Sequence, residues 1–122
     1  MKKLIALVVL ALPMASHADY VDVIAGKLNP GCTMSQYLQI VSDFNEQWAK
    51  DYGYKAEVLT PLQSRDMDTI YWVGRIKNAE AYGKGLDAWR AAQADPNSTA
   101  AKLMARLRNC TTSESRAGFA SY

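Results

Sequence analysis

The stretch from Glu57 to Lys77 constrains this chain more than any other. It reads as two strands, Glu57 to Pro61 and Thr69 to Lys77, joined by a polar turn from Leu62 to Asp68. The second strand is dense in β-branched and aromatic residues, the types that fit a pleated, half-buried surface. Successive side chains of a strand point to opposite faces. Ile70, Trp72, Gly74 and Ile76 therefore share one face, and Tyr71, Val73 and Arg75 share the other. Gly74 orients the pair. A glycine inside a strand costs stability and marks close approach by another group. Its face is expected to meet the helices, which leaves Tyr71 and Arg75 on the opposite side.

Helical patterns flank this hairpin. Before it, Thr33 and Gln36 have the spacing of a capping box. Tyr37, Val41, Phe44, Trp48 and Tyr52 then recur at steps of three and four, one broad apolar stripe that predicts a helix running to Tyr52. Gly53 follows as a stop. Such an aromatic stripe fits a packed core; lining a cofactor is the alternative. After the hairpin, Asn78 caps a second helix from Ala79 to about Ala94, with Tyr82, Leu86 and Trp89 as its stripe, and Asp95-Pro96 ends it. Gly83-Lys84-Gly85 lacks the spacing of a phosphate-binding loop. A third helix begins at Asn97 or Ser98. Its apolar face is Ala100, Leu103, Met104, Leu107 and Cys110, and Lys102, Arg106 and Arg108 read as a solvated face. Before the first helix, Asp19 to Leu28 carries apolar groups on both alternating sets, as an inner strand does. The segment Ser113 to Tyr122 is polar, then aromatic, and can supply a short fourth strand.

The N-terminus reads as a processing signal. Lys2 and Lys3 precede an unbroken apolar run from Leu4 to Leu12, and Ser16-His17-Ala18 offers small residues at the two positions a signal peptidase reads. The run is too short to span a bilayer, which takes roughly 20 residues. Residues 1–18 are therefore expected to be removed, leaving 19–122 as a single domain in the periplasm or secreted. Loss of Lys2 and Lys3 lowers Lys+Arg from 14 to 12, equal to the 12 Asp+Glu, so the mature chain is neutral. Neutrality gives no support for nucleic-acid or anionic-membrane binding. The only histidine, His17, leaves with the signal. That removes Ser-His-Asp and Cys-His mechanisms, histidine-ligated haem and histidine-based zinc, and no metal or cofactor is expected.

Two cysteines remain, Cys32 and Cys110. In an oxidising compartment they favour a disulfide. Closing so long a loop contributes on the order of 4 kcal/mol. A redox or metal pair is the alternative, without Cys-x-x-Cys spacing to support it.

The order strand, helix, strand, strand, helix, helix, strand is the split βαβ pattern of ferredoxin-like α+β domains. With two-sided apolar strands and the extra helix before the last strand, it resembles the dimeric α/β-barrel superfamily, in which two such sheets pack face to face. Tyr71-Trp-Val-Gly-Arg75 and Ala81 to Trp89 also resemble uncharacterised secreted bacterial proteins. The resemblance implies a homodimer and leaves the activity open, since the superfamily spans cofactor-free oxygenases, isomerases, haem enzymes and proteins of no known chemistry.

The leading expectation is a small organic ligand held on the non-helical face of the sheet, with Asp22, Glu57, Tyr71 and Arg75 as its polar lining. Arg75 can hold a carboxylate bidentately and Tyr71 can stack. Against it stands a plain cross-strand pairing of Glu57 with Arg75. Two other readings remain: a packing module without a ligand, and a cofactor-free enzyme with Glu57 or Asp22 as general base.

Overall fold

The computed structural model describes Asp19–Tyr122; the leader inferred above lies outside the described residues. Its elements are β1 (Asp19–Leu28), α1 (Met34–Gln47), a short 3-10 turn (Ala49–Tyr52), β2 (Lys55–Leu59), β3 (Ile70–Ile76), α2 (Ala79–Ala92), α3 (Thr99–Cys110) and β4 (Thr111–Ser121). The four strands form one sheet in the order β2-β3-β1-β4, and every neighbouring pair is antiparallel. This is the α+β, ferredoxin-like arrangement expected from the element order. β1 is an inner strand, as its two-sided apolar pattern indicates.

The helix starts are written locally. Thr33 accepts from the Gln36 amide and Gln36 accepts from the Thr33 amide, a complete capping box. Asn78 and Ser98 cap α2 and α3 with the side-chain half of that motif alone, accepting from the amides of Ala81 and Ala101. The first helix departs from expectation at its far end. It stops at Gln47 and tightens into the 3-10 turn, which Gly53 closes in the left-handed conformation at φ 69°. The apolar stripe through Trp48 and Tyr52 continues across this change, so periodicity alone did not mark the break.

α1 contributes Tyr37, Ile40, Val41 and Phe44 to the core, where they meet Ala56, Ile70, Trp72 and Leu103. Asn45, on the same helix, uses both ends of its amide on the backbone of Ala56, each at 2.8 Å. That bond blunts the outer edge of β2. Helix α2 has the same length as α1 but no fully buried residue. Its stripe faces a cavity instead of a packed core.

Cys32 and Cys110 form a disulfide with their Cα atoms 5.1 Å apart. It ties the loop after β1 to the end of α3, where Asn29 also donates to the carbonyls of Arg108 and Asn109 and accepts from Thr112. Helix α3 passes into β4 without a loop, so these bonds set the angle at which β4 starts. β4 is longer than the short strand anticipated and pairs along the whole of β1. Among the described residues no helix is long and apolar enough to cross a membrane.

Candidate functional site

Asp22 is the one charged side chain buried among the described residues, with 1% of its surface exposed. Burying a carboxylate is costly unless it is paired and hydrogen-bonded, and Asp22 is both. Arg116 Nε donates to Oδ1 at 2.8 Å and Arg116 Nη2 to Oδ2 at 2.6 Å. Tyr54 Oη donates to Oδ2 at 3.0 Å and accepts from Trp72 Nε1 at 2.7 Å. The result is a directed chain from indole to phenol to carboxylate, ended by an arginine fork. Burial, and then the negative charge of Asp22, pushes the Tyr54 phenol far above its ordinary range. Tyr54 is a fixed neutral donor at physiological pH. The bond to Asp22 in turn raises the Arg116 guanidinium, which stays charged throughout.

The backbone makes room for this cluster with glycine. Asp22 pairs with Gly74 on β3 and with Gly118 on β4, so the sheet has no side chain on either side of it. A Cβ at Gly74 would overlap the Tyr54 phenol, and one at Gly118 would overlap that of Tyr20. The two tyrosines thus lie close against the sheet on either side of the carboxylate. Tyr20 stacks on Tyr82 of α2 at 4.3 Å, and the Arg116 guanidinium sits 5.8 Å from the Tyr82 ring.

Arg116 reaches this face through a bulge. The pairing of β1 with β4 slips between Ala25 and Gly26, and Glu114 is the residue left without a partner. Ser113 pairs with Gly26 and Arg116 with Ile24. Without the extra residue, strict alternation from Ser113 would turn Arg116 to the other face.

The cluster borders a cavity of about 190 Å³ between sheet and helices. Tyr37, Phe44 and Trp48 close one side, Tyr82, Leu86 and Trp89 of α2 another, and Ile24, Trp72 and Ile76 form the floor. Phe44 packs edge-on to Trp72 at 4.9 Å and to Trp89 at 5.3 Å. Arg116 and Arg108 are the charged residues on the wall, beside the hydroxyls of Thr111 and Ser113; among the described residues no Asp or Glu lines it. Asp22 lies behind Arg116 and Tyr54, outside the lining. It acts as the counter-ion of Arg116 and the acceptor for Tyr54, and is out of reach as a general base for a molecule in the cavity.

The four residues expected to line one site are split by the register. Asp22, paired with Gly74, faces the helices. Glu57, Tyr71 and Arg75 lie on the open face, where Arg75 Nε meets Glu57 Oε1 at 3.3 Å with both side chains about half exposed. The simple cross-strand pairing is the arrangement found there. The orientation deduced from Gly74 holds for Tyr71 and Arg75. It applies equally to Asp22 once the β1–β3 register is known, and a single sequence does not supply that register. Sequence reasoning missed Tyr54 and Arg116 altogether; Arg108 is exposed, as its solvated face predicts, and also borders the cavity.

No family model matches the chain, and no curated protein matches it. Solved structures do. SnoaB, a cofactor-independent oxygenase from Streptomyces nogalater, superposes with TM-score 0.57 at 12% identity, over 86% of this chain and 94% of that one. A protein from Chloroflexus aurantiacus described as an antibiotic biosynthesis monooxygenase gives 0.53 at 13%, over 86% and 94%. A nipsnap family protein of unknown function from Agrobacterium tumefaciens gives 0.52 at 15%, over 86% and 87%. The chain shares the ferredoxin-like fold of these structures. At these identities the likeness speaks for the fold alone.

Proposed function

We propose that this chain is an extracytoplasmic homodimeric protein that binds a small organic molecule in the cavity between its sheet and its helices. Residues 1–18 are its signal peptide and 19–122 its single domain. The observation that carries the binding reading is the cavity: about 190 Å³, apolar and rich in aromatic residues, with a few polar groups, the usual make-up of a ligand site. A dry apolar cavity of about 150 Å³ is enough to take up benzene, so this one suits a compact ring system. A cofactor-independent oxygenase shares the fold. Here the candidate carboxylate bases are sealed behind Arg116 or exposed on the open face, which favours binding over carboxylate-base catalysis.

The dimer reading rests on the open face of the sheet. Val23 and Ala25 lie at its centre beside the already buried Val21 and Val73, with Leu59 and Phe119 about half exposed at its sides. Among the described residues no helix covers it, and a second sheet would bury what remains exposed. The extracytoplasmic reading rests on the disulfide.

Native mass spectrometry of the protein purified from the periplasm tests these readings together. The expected species is a dimer of chains beginning at Asp19, each carrying a discrete extra mass. In Leu86→Trp, which fills the cavity from α2, the dimer persists and the extra mass is lost. A bound mass unaffected by Leu86→Trp would place the ligand elsewhere. A dimer that stays bare after incubation with a periplasmic extract would remove the binding reading, and a monomer at micromolar concentration would remove the dimer.

A further inference from the structure

We infer that the ligand is a planar aromatic anion, a ring system bearing a carboxylate or similar oxyanion, and that Arg116 receives the anionic group. The inference rests on the cavity being the binding site and adds the ligand's charge and shape. Four observations meet in it.

First, Asp22 engages only the Nε and Nη2 side of the Arg116 fork. A guanidinium carries five N–H donors, and among the described residues none of those on Nη1 has a hydrogen-bond partner. Second, Arg116 lines the cavity while its counter-ion does not, and its side chain remains 46% exposed although the carboxylate it holds is 1% exposed. Asp22 therefore fixes the guanidinium in position and leaves its Nη1 edge unengaged on a residue that lines the cavity. Such pre-orientation lowers the entropy lost when a ligand is captured. Third, Arg108 stands on the same wall, no salt bridge engages it among the described residues, and no acidic residue opposes the two arginines there. Ser113 adds a neutral hydroxyl between the two positions in sequence, while the Thr111 hydroxyl is spent on the Leu107 carbonyl. Fourth, the rest of the wall is apolar and rich in ring surface, with Phe44, Trp72 and Trp89 in edge-to-face contact, which suits a flat ring.

The bulge at Glu114 gives the arrangement its cost. It interrupts the β1–β4 ladder and crowds Gly26, where a Cβ would meet the Thr112 carbonyl. Bulges are enriched beside functional sites, where they re-aim a side chain. Here the re-aimed side chain is Arg116.

Titration calorimetry with two test ligands of equal shape, naphthoate and naphthamide, examines this on the disulfide-bonded protein. The wild-type protein is expected to bind naphthoate about tenfold or more tightly than naphthamide, the scale of one charge-assisted hydrogen bond. Arg116→Gln leaves Asp22 without its counter-ion and is open to misfolding. The paired variant Asp22→Asn with Arg116→Gln keeps an amide–amide contact without buried charge. It should bind both ligands equally, at the wild-type affinity for naphthamide. Equal binding of the two by the wild type overturns the anion inference, a preference that survives in the paired variant overturns the assignment to Arg116, and both leave the cavity reading in place. Binding of neither ligand, or binding unaffected by Leu86→Trp, fails the cavity reading itself and the inference with it.

Discussion

On the helix side of the sheet, Asp22 and Arg116 meet through two hydrogen bonds of 2.8 and 2.6 Å, with the carboxylate 1% exposed. On the open side, Glu57 and Arg75 meet through one of 3.3 Å, with both side chains about half exposed. The two pairs are built alike. Each joins adjacent antiparallel strands along a diagonal: Asp22 is opposite Gly118, two residues beyond Arg116, and Glu57 is opposite Val73, two residues before Arg75. The register is therefore not what separates them. The difference lies in what surrounds each pair. Tyr54, Tyr82 and the helices exclude water from Asp22, so its charge depends on the arginine. Water reaches Glu57 freely, so its arginine is dispensable. The same sequence chemistry yields a cornerstone on one face and a surface contact on the other.

The largest expected effect follows from removing one partner of the buried pair. Arg116→Ala should lower the unfolding free energy by about 3 kcal/mol, toward the low end for an orphaned buried charge because the arginine itself is partly solvated. Denaturant titration at neutral pH measures it. The Asp22→Asn, Arg116→Gln variant should recover most of the loss, since it leaves no buried charge. A loss below about 1 kcal/mol in Arg116→Ala would make the two pairs energetically equivalent.

A second expectation concerns pH on the buried side. Burial pushes the Tyr37 phenol up to about 12, and it pushes Tyr54 up as well. In the unfolded chain both ionise near pH ~10. The folded state then holds protons that the unfolded state has released. The stabilisation is fully present below pH ~10 and is lost as pH rises toward the folded values. For Tyr37 the loss approaches about 1.4 kcal/mol per pH unit in that window. Comparing unfolding at pH ~9 and pH ~11 reads the sum. In Tyr37→Phe the alkaline loss should be shallower, and an unchanged slope would show that Tyr37 does not hold its proton through this window.

These contrasts explain what was legible beforehand. The strand from Ile70 to Ile76 and the capped helices declare themselves because propensity, periodicity and caps are local. Gly74 told which face of β3 meets the helices, since a strand glycine signals a neighbour pressing on the backbone. The site was not legible for a related reason: it depends on register. Asp22 joins Gly74 and Gly118 only once β1 is aligned with both neighbours. Arg116 points inward only because one unpaired residue, Glu114, shifts the phase of β4. Nothing in Ser113 to Ala120 announces that slip, since the strand's inward residues are Ser113, Arg116, Gly118 and Ala120, without an apolar stripe. Tyr54 carried a usable hint. An aromatic beside the start of an edge strand, next to a strand glycine, is a candidate to cover it. The pattern of α2 has a double reading. Tyr82, Leu86 and Trp89 form an apolar stripe because the lining of an apolar cavity and a core ask for the same side chains.

The smallest expected effect sharpens the comparison from the other side. Arg75→Ala should change the stability of the isolated protomer by less than about 0.5 kcal/mol, as half-exposed pairs do. A Glu57→Ala, Arg75→Ala double-mutant cycle should give a coupling of a few tenths of a kcal/mol. The open face is also the proposed dimer surface, so protein concentration becomes a second variable. At dilution into the monomer, the pair is solvated and the coupling stays small. Under conditions that populate the dimer, a second sheet would exclude water from Glu57 and Arg75, and the same cycle should report a larger coupling. A coupling that is small and independent of concentration, in a protein shown by sedimentation to dimerise, would mean that the two sheets do not meet over this pair.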